Sequence, residues 1–186
     1  MALPDQLTDE AFNTLLRTET DPLRLIILGW AAVEADINAH ATEAFEYPLG
    51  VPFARVGGVS QRIAIATALG VIPIRIADAL NALATLRHEF AHGARHDLTP
   101  ERAAQLRSKF GEWVNPEVHD ALEHLAPVYT VVYALNIARV GIQVAVEYMR
   151  TERARRIQST TLADLIRQRT TQLKTEQPPA PDSPEQ

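Results

Sequence analysis

The stretch from Pro73 to Gly93, PIRIADALNALATLRHEFAHG, decides the fold class of this chain. Apolar side chains recur three or four residues apart at Ile76, Leu80 and Leu83, which is the spacing of one face of an α-helix. Proline suits the first turn of a helix and glycine commonly follows the last turn, so both ends are marked. The stretch predicts one helix with a buried face, and Arg87 lies at the edge of that face.

The rest of the chain repeats this pattern of apolar-faced helices separated by proline, glycine and capping residues. No stretch alternates apolar and polar residues for long enough to predict a strand. The sequence therefore predicts an all-α protein, a bundle of about six to seven helices. The predicted helices cover about 9–18, 22–45, 61–69, 74–92, 100–113, 117–158 and 162–174.

Several helix boundaries depend on single residues. Ser60 is expected to cap the third helix, and Thr161 with Asp164 forms a capping box that predicts a separate last helix. Pro127 should kink or divide the long helix over 117–158, because proline lacks a backbone donor. Residues 1–174 are expected to form one domain. Residues 175–186 are rich in proline and acid and predict a disordered tail.

Composition limits the protein class. The chain has 186 residues, 46% hydrophobic and 22% charged, as in an ordinary globular domain. It contains no cysteine, which excludes disulfides and thiolate metal sites. The first residues, MALPDQLTDEAF, are acidic and do not resemble a secretory signal. We therefore expect a cytoplasmic protein.

The C-terminal third has features of both a membrane span and a nucleic-acid interface. The segment APVYTVVYALNIARVGIQVAVEYM is long and apolar, but Arg139 and Glu147 argue against a span, so no membrane partner is expected. Residues 139–174 hold 8 Lys and Arg against 3 Asp and Glu, which could meet phosphate or an acidic partner. Without interleaved aromatic residues, a solvated or dimer-paired helix face is the simpler interpretation.

The segment HEFAH, residues 88–92, matches the His-Glu-x-x-His pattern of zinc hydrolases. His88 and His92 would share the metal, and Glu89 would activate a bound water. A third ligand is required, and its candidates are loosely placed. They are His96, Glu112, Glu117 and His119. With no strand to hold an extended substrate, zinc hydrolysis is a minor alternative.

A second set of residues carries a resemblance to known families. The runs PLG, SQRIAIATALGVI and ALATLRHEFAHG closely resemble the mannitol operon repressor (MltR) family, and the same block, about 45–110, looks like HEPN-type helical domains. The HEPN pattern places Arg87 and His92 at the end of a helix. His88 stands where HEPN motifs often have Asn, and VPFARVGGV lengthens the turn after PLG.

The two resemblances imply different functions. Active HEPN proteins are metal-independent endoribonucleases with toxin or RNA-processing roles, in which a symmetric dimer gathers two Arg and His pairs. By that resemblance His92 would transfer a proton at the RNA 2′-hydroxyl, and Arg87 would stabilise charge on the phosphate. Helical geometry separates these two residues by about 140° and roughly 7.5 Å in rise. Mannitol repressor relatives imply a regulator that binds a protein partner.

The interpretation favoured by the sequence is a small regulatory or interaction protein, with no DNA-reading motif and no cofactor. The alternative is a metal-independent ribonuclease, with RNA as a candidate partner. The central residues are Arg87 and His92, and secondarily His88 and Glu89. A homodimer is expected, with the helical region 127–158 partly in its interface. A structural role stays open, since Arg87 could pair with an acid such as Asp78 or Glu123.

Overall fold

A computed structural model describes residues 8–45, 51–93, 97–110 and 114–176 of the chain. Within these ranges the chain forms α-helices and one 3₁₀ turn at Phe53–Arg55, with no strand, so the predicted all-α class is confirmed. The α-helices are α1 (Asp9–Thr18), α2 (Pro22–Ala44), α3 (Val59–Ala68), α4 (Ile74–Ala91), α5 (Pro100–Arg107), α6 (Pro116–His124) and α7 (Pro127–Glu176).

The core forms around the pairing of α2 with α4. Helix α3 packs against both of them, α1 packs on α2, and α5 packs on α4. Helix α7 approaches α2 closely at Gly29 and α4 at Ile76. The predicted face of α4 is buried as expected. The largest fully buried side chains include Leu25, Ile26, Trp30, Ile63, Ile76, Leu80, Leu83, Leu135 and Ile142.

Several predicted helix ends are confirmed by their hydrogen bonds. The Asp21 side chain accepts from the Leu23 N–H at 2.9 Å, and Asn115 accepts from the Glu117 N–H at 3.0 Å. Each of these caps is followed by a proline that loses no helical hydrogen bond at that position. Gly93 ends α4 with φ +66, a left-handed conformation that side-chain-bearing residues rarely adopt. These ends are local features, and local sequence was sufficient to predict them.

The prediction that Ser60 caps the third helix is wrong. Helix α3 begins at Val59, with extended Gly58 as its cap and no side-chain cap hydrogen bond. The Arg62 N–H already donates to the Gly58 carbonyl at 3.0 Å, so Ser60 lies inside the first turn. The segment between the second and third predicted helices also contains the 3₁₀ turn at Phe53–Arg55, and α3 begins four residues after this turn.

The fifth helix is shorter than predicted. It ends at Arg107 and not near Trp113, which lies outside the described residues. After Arg107 the chain tightens, with N–H donation from Lys109 to the Leu106 carbonyl at 3.0 Å. This turn buries Phe110, whose ring meets the Tyr133 ring edge-on at 5.9 Å between centroids. Burial of one aromatic ring therefore overrides the helical pattern of the segment.

Pro127 divides the long predicted helix as expected, because Leu125 is extended and α7 starts at Pro127. The separate last helix, however, is wrong: α7 continues unbroken through residues 161–164 to Glu176. Between Gly141 and Pro178 the sequence has neither glycine nor proline, so nothing forces a break. The remaining part of the tail predicted to be disordered lies outside the described residues.

The chain divides into two units, Met1–Glu147 and Tyr148–Gln186. The first contains α1 to α6, the start of α7 and the core described above. The second contains the remainder of α7, and its described side chains are mostly exposed.

The apolar part of α7 belongs to the packed core of the first unit. The segment Pro127–Gln158 is long and apolar enough to cross a membrane by length and composition, but 44% of its most apolar window is buried against the protein. Arg139 lies within it and is itself buried. This packing is that of a core helix. The length and composition of the segment are therefore only weak evidence for a membrane span.

A buried arginine in α3 fixes the turn that precedes that helix. Arg62 forms an ion pair with Glu34 of α2, and its Nη1 donates to the carbonyls of Ala54 at 3.0 Å and Gly57 at 3.1 Å. Glu34 also accepts from Trp30 Nε1 at 3.0 Å. Arg62 stands in the SQRIAIATALGVI run, so one residue of that run has a packing role in the fold.

Candidate functional site

The Arg87 to His92 segment forms the C-terminal end of α4. His92 is the C-cap residue of α4, and its N–H donates to the His88 carbonyl at 3.1 Å. Gly93 then turns the chain away from the helix. His88 and His92 are exposed and adjacent, with ring centroids 4.3 Å apart. Spacing by four residues places both rings on one side of the helix. The structure thus brings the two histidines together at the protein surface.

Arg87 lies at the edge of the buried face of α4 and is half-buried, as the periodicity predicted. Neither Asp78 nor Glu123 forms an ion pair with it, and no other residue in the described ranges does so. No hydrogen bond joins Arg87 to His92 in this part of the chain. A single chain therefore presents the arginine and the histidine as neighbours on different sides of one helix end.

Glu89 is held by a residue that the sequence analysis did not single out. It forms an ion pair with Arg102 of α5, whose side chain is only 15% exposed. Thr99 caps α5 and accepts from the Arg102 N–H at 3.4 Å, which places Arg102 on the first turn facing α4. The two residues are thirteen positions apart in the sequence. No local pattern signals it, because it depends on how α5 packs against α4.

This ion pair bears on the zinc interpretation. A carboxylate that activates a metal-bound water must be able to accept its proton, and Glu89 instead faces a guanidinium. Over the described ranges no three His, Asp or Glu side chains come together as a metal site, and Glu117 and His119 do not join the histidine pair. The candidate ligands His96 and Glu112 lie outside these ranges. We do not propose zinc hydrolysis.

A groove on the first unit was not predicted from the sequence. It has a volume of about 360 Å³ and lies between α1, α6 and α7. Most of its lining is apolar, and Leu125 and Tyr129 are 49% and 51% exposed there. We call it the α1–α7 groove, and its lining residues are Asn13, Leu16, Arg17, Leu122, Leu125, Tyr129, Val132, Tyr133 and Asn136.

A charge cluster around the buried Arg139 joins the walls of the α1–α7 groove. Arg139 of α7 contacts Asp36 of α2 at 2.8 Å and Asp9 of α1 at 3.1 Å, and its guanidinium lies 4.5 Å from the Phe12 ring centroid. Gln143 also donates to Asp9 at 3.3 Å. These contacts join α1 to α7 next to the groove, so its two sides keep a defined separation.

Arg17 is the one charged side chain that lines the groove. It lies in the last turn of α1, is exposed, and forms no ion pair with any residue in the described part of the chain. Asn13 and Asn136 add neutral polar groups at the rim. The groove can therefore accept an apolar surface that carries a negative charge at one edge.

Comparisons with known proteins found no match for this chain among family models, curated proteins or solved structures. The similarity to the mannitol repressor and HEPN families accordingly rests on the quoted residues alone.

Proposed function

We propose that this chain is a small cytoplasmic regulatory protein that acts by binding a protein partner in the α1–α7 groove. The observation that carries the proposal is the exposure of large apolar groups, Leu125 and Tyr129, beside a rigidly paired helix frame. Exposed apolar surface in a concave site costs free energy unless a partner covers it. A regulator without a helix that recognises a DNA sequence needs such a surface to transmit its effect.

The expected partner element is an amphipathic helix with an acidic residue at one edge. Helix-in-groove recognition uses apolar anchors on one helix face, and the groove offers Leu16, Leu122 and Val132 to meet them. Arg17 lies at the rim and supplies the complementary charge. An acidic side chain of the partner beside Arg17 would set the orientation of the bound helix.

The experiment begins with a photoreactive phenylalanine analogue in place of Tyr129, introduced in the source organism. A second strain carries the analogue at Ile74, which is 79% exposed. Ile74 belongs to α4, which contributes no residue to the groove. The protein crosslinked only from the Tyr129 position is then purified and titrated by calorimetry against wild type, Leu125→Asp and Ile74→Asp. We expect Leu125→Asp to weaken binding by at least about tenfold and Ile74→Asp to leave it unchanged.

Equal affinity of wild type and Leu125→Asp for the purified partner would contradict the proposal. So would a crosslink from Tyr129 to a second copy of this chain alone, since the groove would then serve self-association. Arg17→Gln provides the charge test: it should reduce affinity less than Leu125→Asp and reduce the salt dependence of binding.

A homodimer is part of this proposal. Val140 and Val144 lie one turn apart on α7 and are 49% and 63% exposed within the first unit. Their four-residue spacing puts both on one helix face, which a second copy could cover by the symmetric contact usual in homodimers. This agrees with the interface expected from the sequence.

Metal-independent RNA cleavage is the second candidate, and the state of the α4 end favours it. His88 and His92 are exposed side by side, and Arg87 keeps its charge available to a ligand, because no described residue neutralises it. His92 would transfer a proton at the 2′-hydroxyl, and Arg87 would stabilise the charged phosphate. Because the two groups lie on different sides of the helix, a second copy is needed to complete the site.

A further inference from the structure

Charge is divided unevenly between the two units. Residues 1–147 hold 11 Lys and Arg against 18 Asp and Glu, a net charge of −7. The second unit, residues 148–186, holds 7 against 5, a net charge of +2, and its positive charge lies within residues 148–174, which hold 7 against 2. A polyanion would be repelled by the first unit and attracted to residues 148–174, so binding to a polyanion is expected on this segment of α7.

The positive charge is concentrated where α7 is most exposed. Four arginines fall within seven residues, and all four side chains are exposed. We call them the arginine run: Arg150, Arg153, Arg155 and Arg156. Glu152 is the one acidic residue between 148 and 163, and it pairs with Arg155 at 2.7 Å. Residues 148–163 therefore carry four arginines against one acidic residue, a net charge of +3.

The arginine run surrounds the helix and does not line a single face. At about 100° per residue, Arg153 and Arg155 lie about 160° apart, on opposite sides of α7. The run spans about 9 Å along the axis. A protein surface covers one side of such a helix. The major groove of B-form DNA, in contrast, is about 12 Å wide, accepts a helix, and has phosphates on both flanks.

We propose that the arginine run binds the phosphate backbone of double-stranded DNA, with α7 in the major groove and without sequence preference. A-form RNA is a poorer fit, because its major groove is too narrow for a helix. A membrane surface is also a poorer fit. The exposed apolar residues Ile157 and Ile166 lie about 180° apart around the helix and form no common apolar face.

The test measures fluorescence anisotropy of a labelled DNA duplex of arbitrary sequence, titrated with the full chain at several salt concentrations. Arg153→Gln/Arg156→Gln removes two charges from the run. The matched control, Arg55→Gln/Arg75→Gln, removes two charges from exposed positions in the first unit. Each lost phosphate contact lowers the salt slope by about 0.9, so the run variant should lose about 1.8 of the slope magnitude. The control should bind DNA more tightly than the run variant.

Equal affinity and slope for the two double variants would overturn the proposal. Competition by duplex RNA or by poly-glutamate as effective as that by duplex DNA, at equal charge concentration, would also overturn it. Effective competition by duplex RNA would assign the site to RNA, and effective competition by poly-glutamate would assign it to an acidic protein. Circular dichroism must show unchanged helix content in both variants, which separates lost contacts from lost structure. The surface tested is distinct from the α1–α7 groove.

Discussion

Arg139 and Asp36 form a buried ion pair, with 2.8 Å between Arg139 Nε and Asp36 Oδ2, that joins α7 to α2 across 103 positions of sequence. The same guanidinium contacts Asp9 at 3.1 Å, but the Asp9 side chain is 72% exposed whereas that of Asp36 is 11% exposed. One arginine thus has a buried and a solvated partner, and the energetic weight of the two contacts should differ.

Asp36→Ala should destabilise the protein by about 3–5 kcal/mol, because it leaves the buried Arg139 charge without its main partner. Asp9→Ala should cost less than about 1 kcal/mol, since an exposed ion pair is screened by water. Urea unfolding of both variants against wild type measures the difference. Equal losses for the two would show that burial does not decide the strength of this cluster.

Gly29→Ala tests the close crossing of α2 and α7. A Cβ at Gly29 would clash with Leu135 Cδ1 and lie 3.3 Å from Leu135 Cγ, and Leu135 is fully buried. Overpacking of this kind costs about 1–3 kcal/mol, offset by the higher helix propensity of alanine of about 1 kcal/mol. We expect a net loss on the order of 1 kcal/mol by thermal unfolding.

A double variant tests the cause of that loss. Leu135→Ala alone should be strongly destabilising, because it opens a cavity in the core. Combined with Gly29→Ala it should cost less than the sum of the two changes, since the new methyl group partly fills the cavity. If the losses of stability of the two single variants add strictly in the double variant, the effect of Gly29→Ala does not arise from its contact with Leu135.

Glu89→Gln and Arg102→Gln test the ion pair between α4 and α5. Each change alone should cost up to about 1 kcal/mol, because the pair is partly exposed. The double variant should be no less stable than either single variant, which is the signature of two residues acting on each other. Larger, additive losses would indicate that each residue has its own separate contacts.

The dimer proposal predicts that wild type sediments as twice the 20.6 kDa chain at micromolar concentration. Val140→Glu/Val144→Glu should shift it toward the single chain, because it places two like charges from each copy against one another. Ala104→Glu/Gln105→Glu changes charge equally at exposed positions of α5 and serves as the control. A single-chain species in wild type would contradict the dimer.

The ribonuclease candidate predicts cleavage of a mixed RNA substrate in EDTA by wild type and by Glu89→Gln. His92→Ala and Arg87→Ala should each lower cleavage by at least about a hundredfold, the contribution of one acid-base or charge-stabilising group. His119→Ala, on α6, is the matched control and should cleave as wild type does. Equal cleavage by all variants would point to a contaminating nuclease and remove this candidate.

Helix positions were largely predictable because helix ends are set by local hydrogen bonds. Asp21, Asn115 and Gly93 each mark an end through contacts within two to four residues. Two misassigned ends, at Ser60 and beyond Arg107, occur where a long-range contact overrides the local signal. Arg62 draws the turn before α3 onto α2, and burial of Phe110 ends α5. The predicted break before residues 161–164 is a third error, in a stretch that has no glycine or proline to end the helix.

The candidate sites divide in the same way. The adjacency of His88 and His92 follows from four-residue spacing on a helix, and the sequence predicted it. The pairing of Glu89 with Arg102, and the α1–α7 groove, could not be predicted, because their residues come from helices far apart in the chain. The sequence by itself determined the helical class, most helix ends and the two histidines, since these depend on periodicity and local capping. Only the tertiary structure decided which charges are neutralised and which apolar groups stay exposed, because both depend on how separate helices pack.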